Sequence, residues 1–231
     1  MQSGSEVPLP RRYRLRVAGF VLAAVVAFAL MYVAWDFLST LKRLDVVERE
    51  RDGWQRPDDV LHALDLHDGD VVTDLGCGSG YFTLKLSGSV GSRGRVLAVD
   101  ILDLPLFVLR VRAFERGLEN ISIIKGRVDD PELPAGGVDA VLVLNTYHEL
   151  DQAAAVLGHV HGALKHGGRI VVVDRAPRSG RATEQGEHEL QPAEAEASLR
   201  SAGFEIAQRD DRFVDRAGDP DLWWMIVARR P

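Results

Sequence analysis

The chain has 231 residues, is 46% hydrophobic and carries a formal net charge of −6. This length and composition suffice for one well-packed domain, with a segment left over. Removing residues 1–35, which hold four arginines and one glutamate, leaves a net charge of −9. Such an acidic remainder argues against nucleic acid as a partner. The single cysteine, Cys77, excludes an internal disulfide framework and a multi-thiolate metal site, so no metal is expected.

The surplus segment is an apolar run near the N-terminus. Residues 17–35 contain no charged side chain, and their number is close to the roughly 20 that cross the hydrocarbon core of a bilayer as a helix. Four arginines precede the run, and Tyr32 and Trp35 lie at its far end, where interfacial aromatic anchors occur. The pattern predicts a basic tail over residues 1–16 and a single transmembrane helix over residues 17–35.

Two other interpretations of the apolar run stay open. A cleaved signal peptide has the same order of basic region, apolar core and small-residue site, here Ala27-Phe28-Ala29, although the run continues beyond that site. A buried core helix fits less well because the run has no polar face. Basic residues lie on both sides of the run, so the positive-inside rule does not fix its orientation.

Strand and helix patterns alternate along the rest of the chain. Residues 36–56 form a mixed-charge, helix-prone connector, and residues 57–231 form the domain. Apolar runs predict strands at residues 71–75, 95–100, 121–125, 138–144, 169–174, 204–208 and 222–228, and helical patterns lie at 58–66, 81–86, 105–116, 151–164 and 192–202. This order predicts an α/β fold with a doubly wound, mostly parallel, seven-stranded sheet. The last connection is too short for a helical crossover, so the last strand is expected to be antiparallel.

A glycine turn joins the first strand to the following helix in the segment Asp74-Leu75-Gly76-Cys77-Gly78-Ser79-Gly80. Glycines permit positive φ and let the backbone approach a nucleotide-like ligand at the carboxyl end of a strand. Asp100 ends the second strand about 20 residues later, where a carboxylate can accept hydrogen bonds from both ribose hydroxyls. Dinucleotide-binding sheets share these features. The acid before the glycines favours instead a cofactor that carries an amino acid and a sulfonium.

The segments named above resemble motifs of the class I S-adenosylmethionine-dependent methyltransferases. The glycine turn is similar to their first motif, and Asp100 to the acid of their second. Further along, residues 139–145 resemble the fourth-strand motif, residues 164–169 the L-K-P-G-G turn, and residues 202–204 the start of the sixth strand. The resemblance spans about residues 57–230. It implies a Rossmann-like methyltransferase fold and S-adenosyl-L-methionine as cofactor.

The resemblance also implies a set of cofactor-binding residues. The glycines would pack against the methionine part with Asp74 near its amino group, Asp100 would bind the ribose, and Ile101 would lie beside the adenine. The implied set is Asp74, Gly76, Cys77, Gly78, Gly80, Asp100, Ile101 and Asn145. Family members often carry an acid after the glycine that ends the third strand, whereas here Arg127 follows Gly126. Whether Asp129, Asp130 or the backbone alone meets the adenine amino group stays open.

The segment after the fourth strand contains the catalytic candidates. His148 can act as a general base and Glu149 can orient it, because imidazole titrates near neutral pH and the segment follows a strand at its carboxyl end. Alternatively, both residues cap the following helix or hold the loop. In-line methyl transfer depends chiefly on proximity and alignment and often needs no strong base.

Together these patterns predict S-adenosylmethionine-dependent methyl transfer by a membrane-anchored enzyme. No separate substrate-recognition domain is visible, which favours a small-molecule acceptor, and the apolar run favours a lipophilic one. The alternative is a non-catalytic scaffold that keeps the fold at the membrane. Because S-adenosylmethionine is made in the cytoplasm, the catalytic domain is expected to face it, although an exported form stays open. The sequence does not identify the acceptor atom or the oligomeric state.

Overall fold

A computed structural model of the chain describes residues 11–177, 190–219 and 221–231. The chain divides into two compact units, Met1–Glu50 and Arg51–Pro231. The basic tail expected over residues 1–16 therefore lies largely outside the described residues. The sheet and the motif residues all belong to the second unit.

The N-terminal apolar run lies in one long helix, α1, over Arg11–Asp52. Its described part from Gly19 onward is long and apolar enough to cross a membrane, with a mean hydropathy of 2.2 over its most apolar 18 residues, none of them buried. Length and composition alone support this reading, and a signal sequence would satisfy the same criterion. The helix continues without a break through the charged segment after residue 35, because residues 36–52 contain neither glycine nor proline.

The second unit is built on a seven-stranded sheet with the order β3-β2-β1-β4-β5-β7-β6. The strands are β1 (Val71–Leu75), β2 (Arg95–Asp100), β3 (Ile121–Lys125), β4 (Val138–Leu144), β5 (Leu164–Pro177), β6 (Glu205–Val214) and β7 (Asp221–Arg229). Strands β1 to β5 pair in parallel, whereas β7 runs antiparallel to both β5 and β6. The predicted α/β sheet with an antiparallel last strand is confirmed.

Helices cover both faces of this sheet. They are α2 (Pro57–Leu64), α3 (Tyr81–Ser89), α4 (Asp103–Glu115), α5 (Ala153–Ala163) and α6 (Pro192–Ser201). Side chains of α5 and α6 pack in one core layer, and those of α2 and α3 pack in the other. Neighbouring residues of a strand point to opposite faces, so Trp224 joins the first layer and Trp223 the second. Proline at the start of α2 and α6 suits the first helical turn, where its missing N–H is not needed.

The strand order places a topological switch point between β1 and β4. From β1 the chain proceeds to β2 and β3 on one side, and from β4 it proceeds to β5 on the other. Open α/β sheets bind ligands in the crevice outside the carboxyl ends of the strands at such a point. The glycine turn follows β1 and the catalytic candidates follow β4, so both lie at this crevice.

Candidate active site

The three motif glycines all adopt positive φ, but their surroundings differ. A Cβ atom on Gly76 would lie 2.2–2.7 Å from side-chain atoms of Thr146, and one on Gly80 would lie 2.4 Å from Cδ1 of Leu109. A Cβ on Gly78 would meet nothing within 4 Å. Gly76 and Gly80 therefore allow close packing inside the protein. Gly78 presents open backbone, where a ligand can approach.

Asp100 holds the glycine turn against the end of β2. Its Oδ2 accepts a hydrogen bond from the Gly78 amide at 2.9 Å, and its Oδ1 accepts one from the Leu102 amide at 2.9 Å. A carboxylate has about four lone-pair positions, so these bonds leave capacity for ligand hydroxyls. Ile101 follows directly and is 49% exposed, which gives an apolar surface beside the acid.

Asp74 lies beneath the first turn of α3. Its side chain is buried, and its Oδ2 accepts a hydrogen bond of 2.6 Å from the Thr83 hydroxyl. Burial raises the pKa of the Asp74 carboxyl to about 6, because removal from water disfavours the charged form. The motif acid is thus within the site but enclosed by protein.

Cys77 is buried within the glycine turn. Burial, reinforced by the nearby carboxylates of Asp74 and Asp100, raises the pKa of its thiol. A thiol in that state is a poor nucleophile. Its contribution is therefore small size and apolar packing beside the ligand crevice.

A buried arginine, which sequence reasoning missed, also supports the glycine turn. Arg112 on α4 is almost fully buried, and its Nη1 donates a hydrogen bond of 2.7 Å to the Ser79 carbonyl. Charged residues are rarely buried unless paired. In the sequence the only signal was a charge among the apolar residues of the inner face of α4.

The chain turns sharply after β4. Asn145 has φ of 53°, a left-handed conformation that is uncommon for residues other than glycine, and its amide donates to the Val173 carbonyl at 2.8 Å. This turn lays Thr146 directly on Gly76, and the Thr146 hydroxyl donates to the Leu144 carbonyl at 3.1 Å. Non-glycine residues in strained conformations are concentrated at functional sites. Sequence reasoning identified Asn145 but missed the contact of Thr146.

His148 lies in a short 3-10 helix, Tyr147–Glu149, and pairs with a carboxylate on β5. Its Nδ1 is 2.8 Å from Oδ1 of Asp174, and its backbone amide donates to Oδ2 of the same residue at 3.0 Å. Asp174 is fully buried, whereas the Glu149 side chain is 69% exposed and its Oε1 lies 3.7 Å from Nε2. The structure therefore places Asp174 in hydrogen-bonding contact with the imidazole that Glu149 was expected to orient.

The pair with Asp174 defines the chemistry available to His148. The hydrogen bond with Asp174 is the main cause that raises the pKa of His148 above the ordinary imidazole value. With a carboxylate at Nδ1, the proton of the neutral ring resides on Nδ1 and the lone pair on Nε2. The side chain is 16% exposed, so this lone pair lies near the surface of the crevice. Asp174 ends a predicted strand, as Asp100 does, and that position was the signal in the sequence.

The two acids of the loop after β3 each have polar partners within the protein. Arg127 Nε lies 3.5 Å from Asp129 Oδ1, and Asp130 Oδ1 accepts a hydrogen bond from the Glu132 amide at 2.8 Å. Asp130 Oδ1 also lies 3.7 Å from Nδ1 of His159 on α5.

These features define an α/β domain with a crevice for a nucleoside-containing cofactor at the switch point of its sheet. Residues 72–168 match a family model described as a methyltransferase domain. The fold and this match agree with the motifs, and residues 72–168 belong to a methyltransferase domain. The match supports S-adenosylmethionine as the cofactor.

Comparisons with individual proteins give the same class. An aklanonic acid methyltransferase from Streptomyces sp. (strain C5) is 35% identical over 112 residues, which cover 48% of this chain and 51% of that protein. A demethylmenaquinone methyltransferase from Lactococcus lactis subsp. lactis (strain IL1403) is 29% identical over 45% of this chain and 41% of that protein. The chain thus spans about half the length of the curated relatives it matches.

Among solved structures, a SAM dependent methyltransferase from Aquifex aeolicus superposes with a TM-score of 0.70 at 23% identity, over 84% of this chain and 98% of that chain. A geranyl diphosphate C-methyltransferase from Streptomyces coelicolor A3(2) superposes with a TM-score of 0.66 at 15% identity, over 77% and 80% of the two chains. At these identities the likeness establishes a shared fold.

Proposed function

We propose that the chain transfers the methyl group of S-adenosylmethionine to a small-molecule acceptor. The proposal is carried by one observation: the glycine turn, Asp100 and the Asn145–Thr146 turn meet at the switch point of the sheet around the open backbone of Gly78. The matched relatives are named for small and chemically different molecules, aklanonic acid and demethylmenaquinone. No acceptor is common to them, so they support a small acceptor without identifying it.

Within this proposal each candidate residue has a role toward the cofactor. Gly78 contacts the methionine part through its backbone, and Asp100 accepts hydrogen bonds from the ribose hydroxyls. Asp74 supplies negative potential toward the amino group from beneath α3, and Ile101 packs beside the adenine. The remaining members of the set shape the crevice by packing: Gly76, Cys77, Gly80 and Asn145.

His148 is proposed as the general base, with Asp174 holding its ring and Glu149 contributing at longer range. The acceptor atom attacks the methyl carbon, the carbon–sulfur bond breaks, and its electron pair stays on sulfur to give S-adenosylhomocysteine. The proton of the acceptor passes to Nε2 of His148 and from there to water. The buried Asp174 carboxylate stabilises the resulting imidazolium.

Calorimetric titration of the full chain in detergent with S-adenosylhomocysteine tests the proposal. We expect binding, and we expect Asp100→Asn to weaken it by roughly 10- to 100-fold, since hydrogen bonds to charged groups contribute about 1.5–3 kcal/mol. Asp68→Asn removes the same charge from an exposed carboxylate that pairs with Arg93 and serves as the matched control. Absence of both heat and thermal stabilisation at millimolar ligand would contradict the proposal and favour the non-catalytic scaffold.

We also propose that residues 17–35 anchor the enzyme in a membrane, with residues 1–16 as a basic tail, 36–56 as a connector and 57–231 as the catalytic domain facing the cytoplasm. The uncharged run and its exposure in α1 support this arrangement. Reporter fusions after Asp36 test the orientation, because a periplasmic-type signal would count against cytoplasmic catalysis. If deletion of residues 1–35 left the methylation rate unchanged and only water-soluble acceptors reacted, a lipophilic acceptor would be excluded.

A further inference from the structure

Exposed apolar side chains of the second unit are concentrated on one flank. Among its described residues, the large apolar side chains that are at least 36% exposed all lie at the β2–α4 junction, on α4 or just after β3. They are Ile101, Leu102, Leu104, Phe107, Phe114 and Val128, and Phe114 is 86% exposed. Contiguous exposed apolar surface on a soluble domain marks an interaction site more often than single exposed residues do.

Helix α4 is the centre of this flank, and it is apolar on two opposite faces. Leu106, Leu109 and Ala113 are buried against the sheet. The outer α4 face consists of Leu104, Phe107, Val111 and Phe114, which recur at helical spacing on the side away from the sheet. A surface helix normally shows polar residues on that side, and a helix that is apolar all round is normally covered.

The short connection to the proposed membrane anchor supports a bilayer as the cover. About 16 residues separate Trp35 from Arg51, and a helix of that length reaches only about 24 Å. A globular unit of this size has a diameter of roughly 40 Å. If residues 17–35 span the bilayer, a connection this short keeps the second unit close to the lipid surface.

The charges around the outer α4 face indicate which lipid headgroups are sufficient for binding. Arg110 lies on α4 and Arg116 directly follows it, whereas Asp103 and Glu115 lie at the two ends of the same helix. With cationic and anionic side chains both present, apolar burial rather than attraction to anionic headgroups supplies the binding free energy. Zwitterionic lipid is therefore a sufficient partner.

We propose that the outer α4 face, together with Leu102, docks onto the surface of the lipid bilayer. The inference rests on the membrane anchoring proposed above. Because the Leu102 amide donates a hydrogen bond to Asp100, docking places the edge of the cofactor crevice at the lipid surface. An acceptor dissolved in the bilayer then reaches the crevice without crossing bulk water.

The test uses the full chain reconstituted in phosphatidylcholine vesicles, with an environment-sensitive NBD fluorophore on a single introduced cysteine. Leu104→Cys and Phe114→Cys report on the outer α4 face, and Ser201→Cys on α6, which packs on the opposite layer of the sheet, is the matched control. Cys77 is buried and its thiol pKa is raised, so it stays unlabelled. Flotation of the vesicles is measured first, and then quenching of the fluorophore by doxyl-labelled lipid.

Docking predicts blue-shifted emission at positions 104 and 114 and quenching roughly twofold or more stronger there than at position 201. Co-flotation with equal, water-like emission at all three positions overturns the docking and leaves the anchoring intact. Failure to co-float overturns both. Blue-shifted emission at 104 and 114 without vesicles, accompanied by a dimer in analytical ultracentrifugation, overturns the lipid partner and assigns the face to a second copy of the chain.

Discussion

The two ends of the parallel strands differ in how their polar groups are arranged. At the amino edge, Lys165 pairs with Asp139 at 2.7 Å and Arg169 pairs with Asp65 at 2.7 Å. Asp139 also accepts a hydrogen bond from the Val71 amide. At the carboxyl edge, by contrast, the Asp74 carboxyl is buried and accepts its side-chain hydrogen bond from a neutral hydroxyl. Left-handed residues occur at both edges, Asp65 and Asn145, so the edges differ in the burial of a carboxyl group and not in backbone strain.

This difference shows that concavity alone does not identify the site. The amino edge contains a cavity of about 270 Å³, lined among others by Asp65, Asp139, Lys165 and Arg169. Its lining charges engage each other, which is typical of structural ion pairs. Carboxyl groups whose pKa is shifted by burial, as that of Asp74 is, are concentrated at functional sites instead. The carboxyl edge is therefore the functional one, in agreement with the switch-point rule.

The largest expected effect comes from two glycines of nearly equal backbone conformation. Gly76 at the carboxyl edge has φ of 76° and Gly167 at the amino edge has φ of 77°. A Cβ on Gly76 would overlap Thr146, whereas one on Gly167 would meet nothing within 4 Å. Gly167→Ala should cost about 1–2 kcal/mol for the left-handed conformation alone. Gly76→Ala should cost roughly 1–3 kcal/mol more for overpacking, measured by urea unfolding.

The same pair separates binding from folding. Gly76→Ala should also abolish measurable S-adenosylhomocysteine binding in calorimetry, because Thr146 cannot stay in place beside the turn. Gly167→Ala should bind as the unaltered chain does. Equal losses of stability in the two variants would show that the carboxyl edge is packed no more tightly than the amino edge.

The next effect concerns Asp74 and the pH dependence of stability. Burial raises the pKa of its carboxyl from 3.8 in the unfolded chain to about 6, so the folded state binds the proton more tightly. The free energy of unfolding therefore falls as the pH rises from about 4 to about 6, by roughly 3 kcal/mol for this group. Asp74→Asn should remove this decline, and urea unfolding of both proteins across that range measures it. A decline that persists in the variant would assign it to other groups.

Sequence patterns specified most of the fold because the signals were local. Strands β1, β2 and β4 are largely buried and appear as apolar runs, so their bounds follow directly from the sequence. The bounds of β3 follow as well, although this edge strand is only partly buried. Strand β5 extends from Leu164 to Pro177, beyond the predicted residues 169–174, because it pairs with β7 as far as Pro177. Such pairing between distant segments has no local signature.

Residues of the candidate site likewise divide into those with a local sequence signal and those that only the fold brings together. Asp74 and the glycines belong to one short motif, and Asp100 follows about 20 residues later at the end of the next strand, so these residues can be identified from the sequence. Thr146, Arg112 and Asp174 act through contacts with residues that are 26 to 70 positions away along the chain. Only the packed sheet brings these residues to the crevice. Glu149 was favoured as the partner of His148 because adjacency in sequence suggested a contact that the fold assigns to Asp174 at shorter distance.

The smallest expected effect, and the sharpest for the carboxyl edge, concerns His148. Asp174 and Glu149 raise the pKa of His148, with the Asp174 hydrogen bond as the largest cause, while burial and Arg175 oppose them. The stabilisation from protonated His148 is therefore fully present when the pH is below 6.5, the pKa of the unfolded chain. It is lost as the pH rises through the higher pKa of the folded chain.

Asp174→Asn should lower the pKa of His148 more than Glu149→Gln does, measured by ¹⁵N NMR titration of histidine-labelled protein. The stability difference between the unaltered chain and His148→Gln should likewise be larger near about pH 5.5 than near about pH 8.5. A larger pKa shift from Glu149→Gln would support the sequence-based assignment of Glu149 and contradict Asp174 as the residue that orients His148.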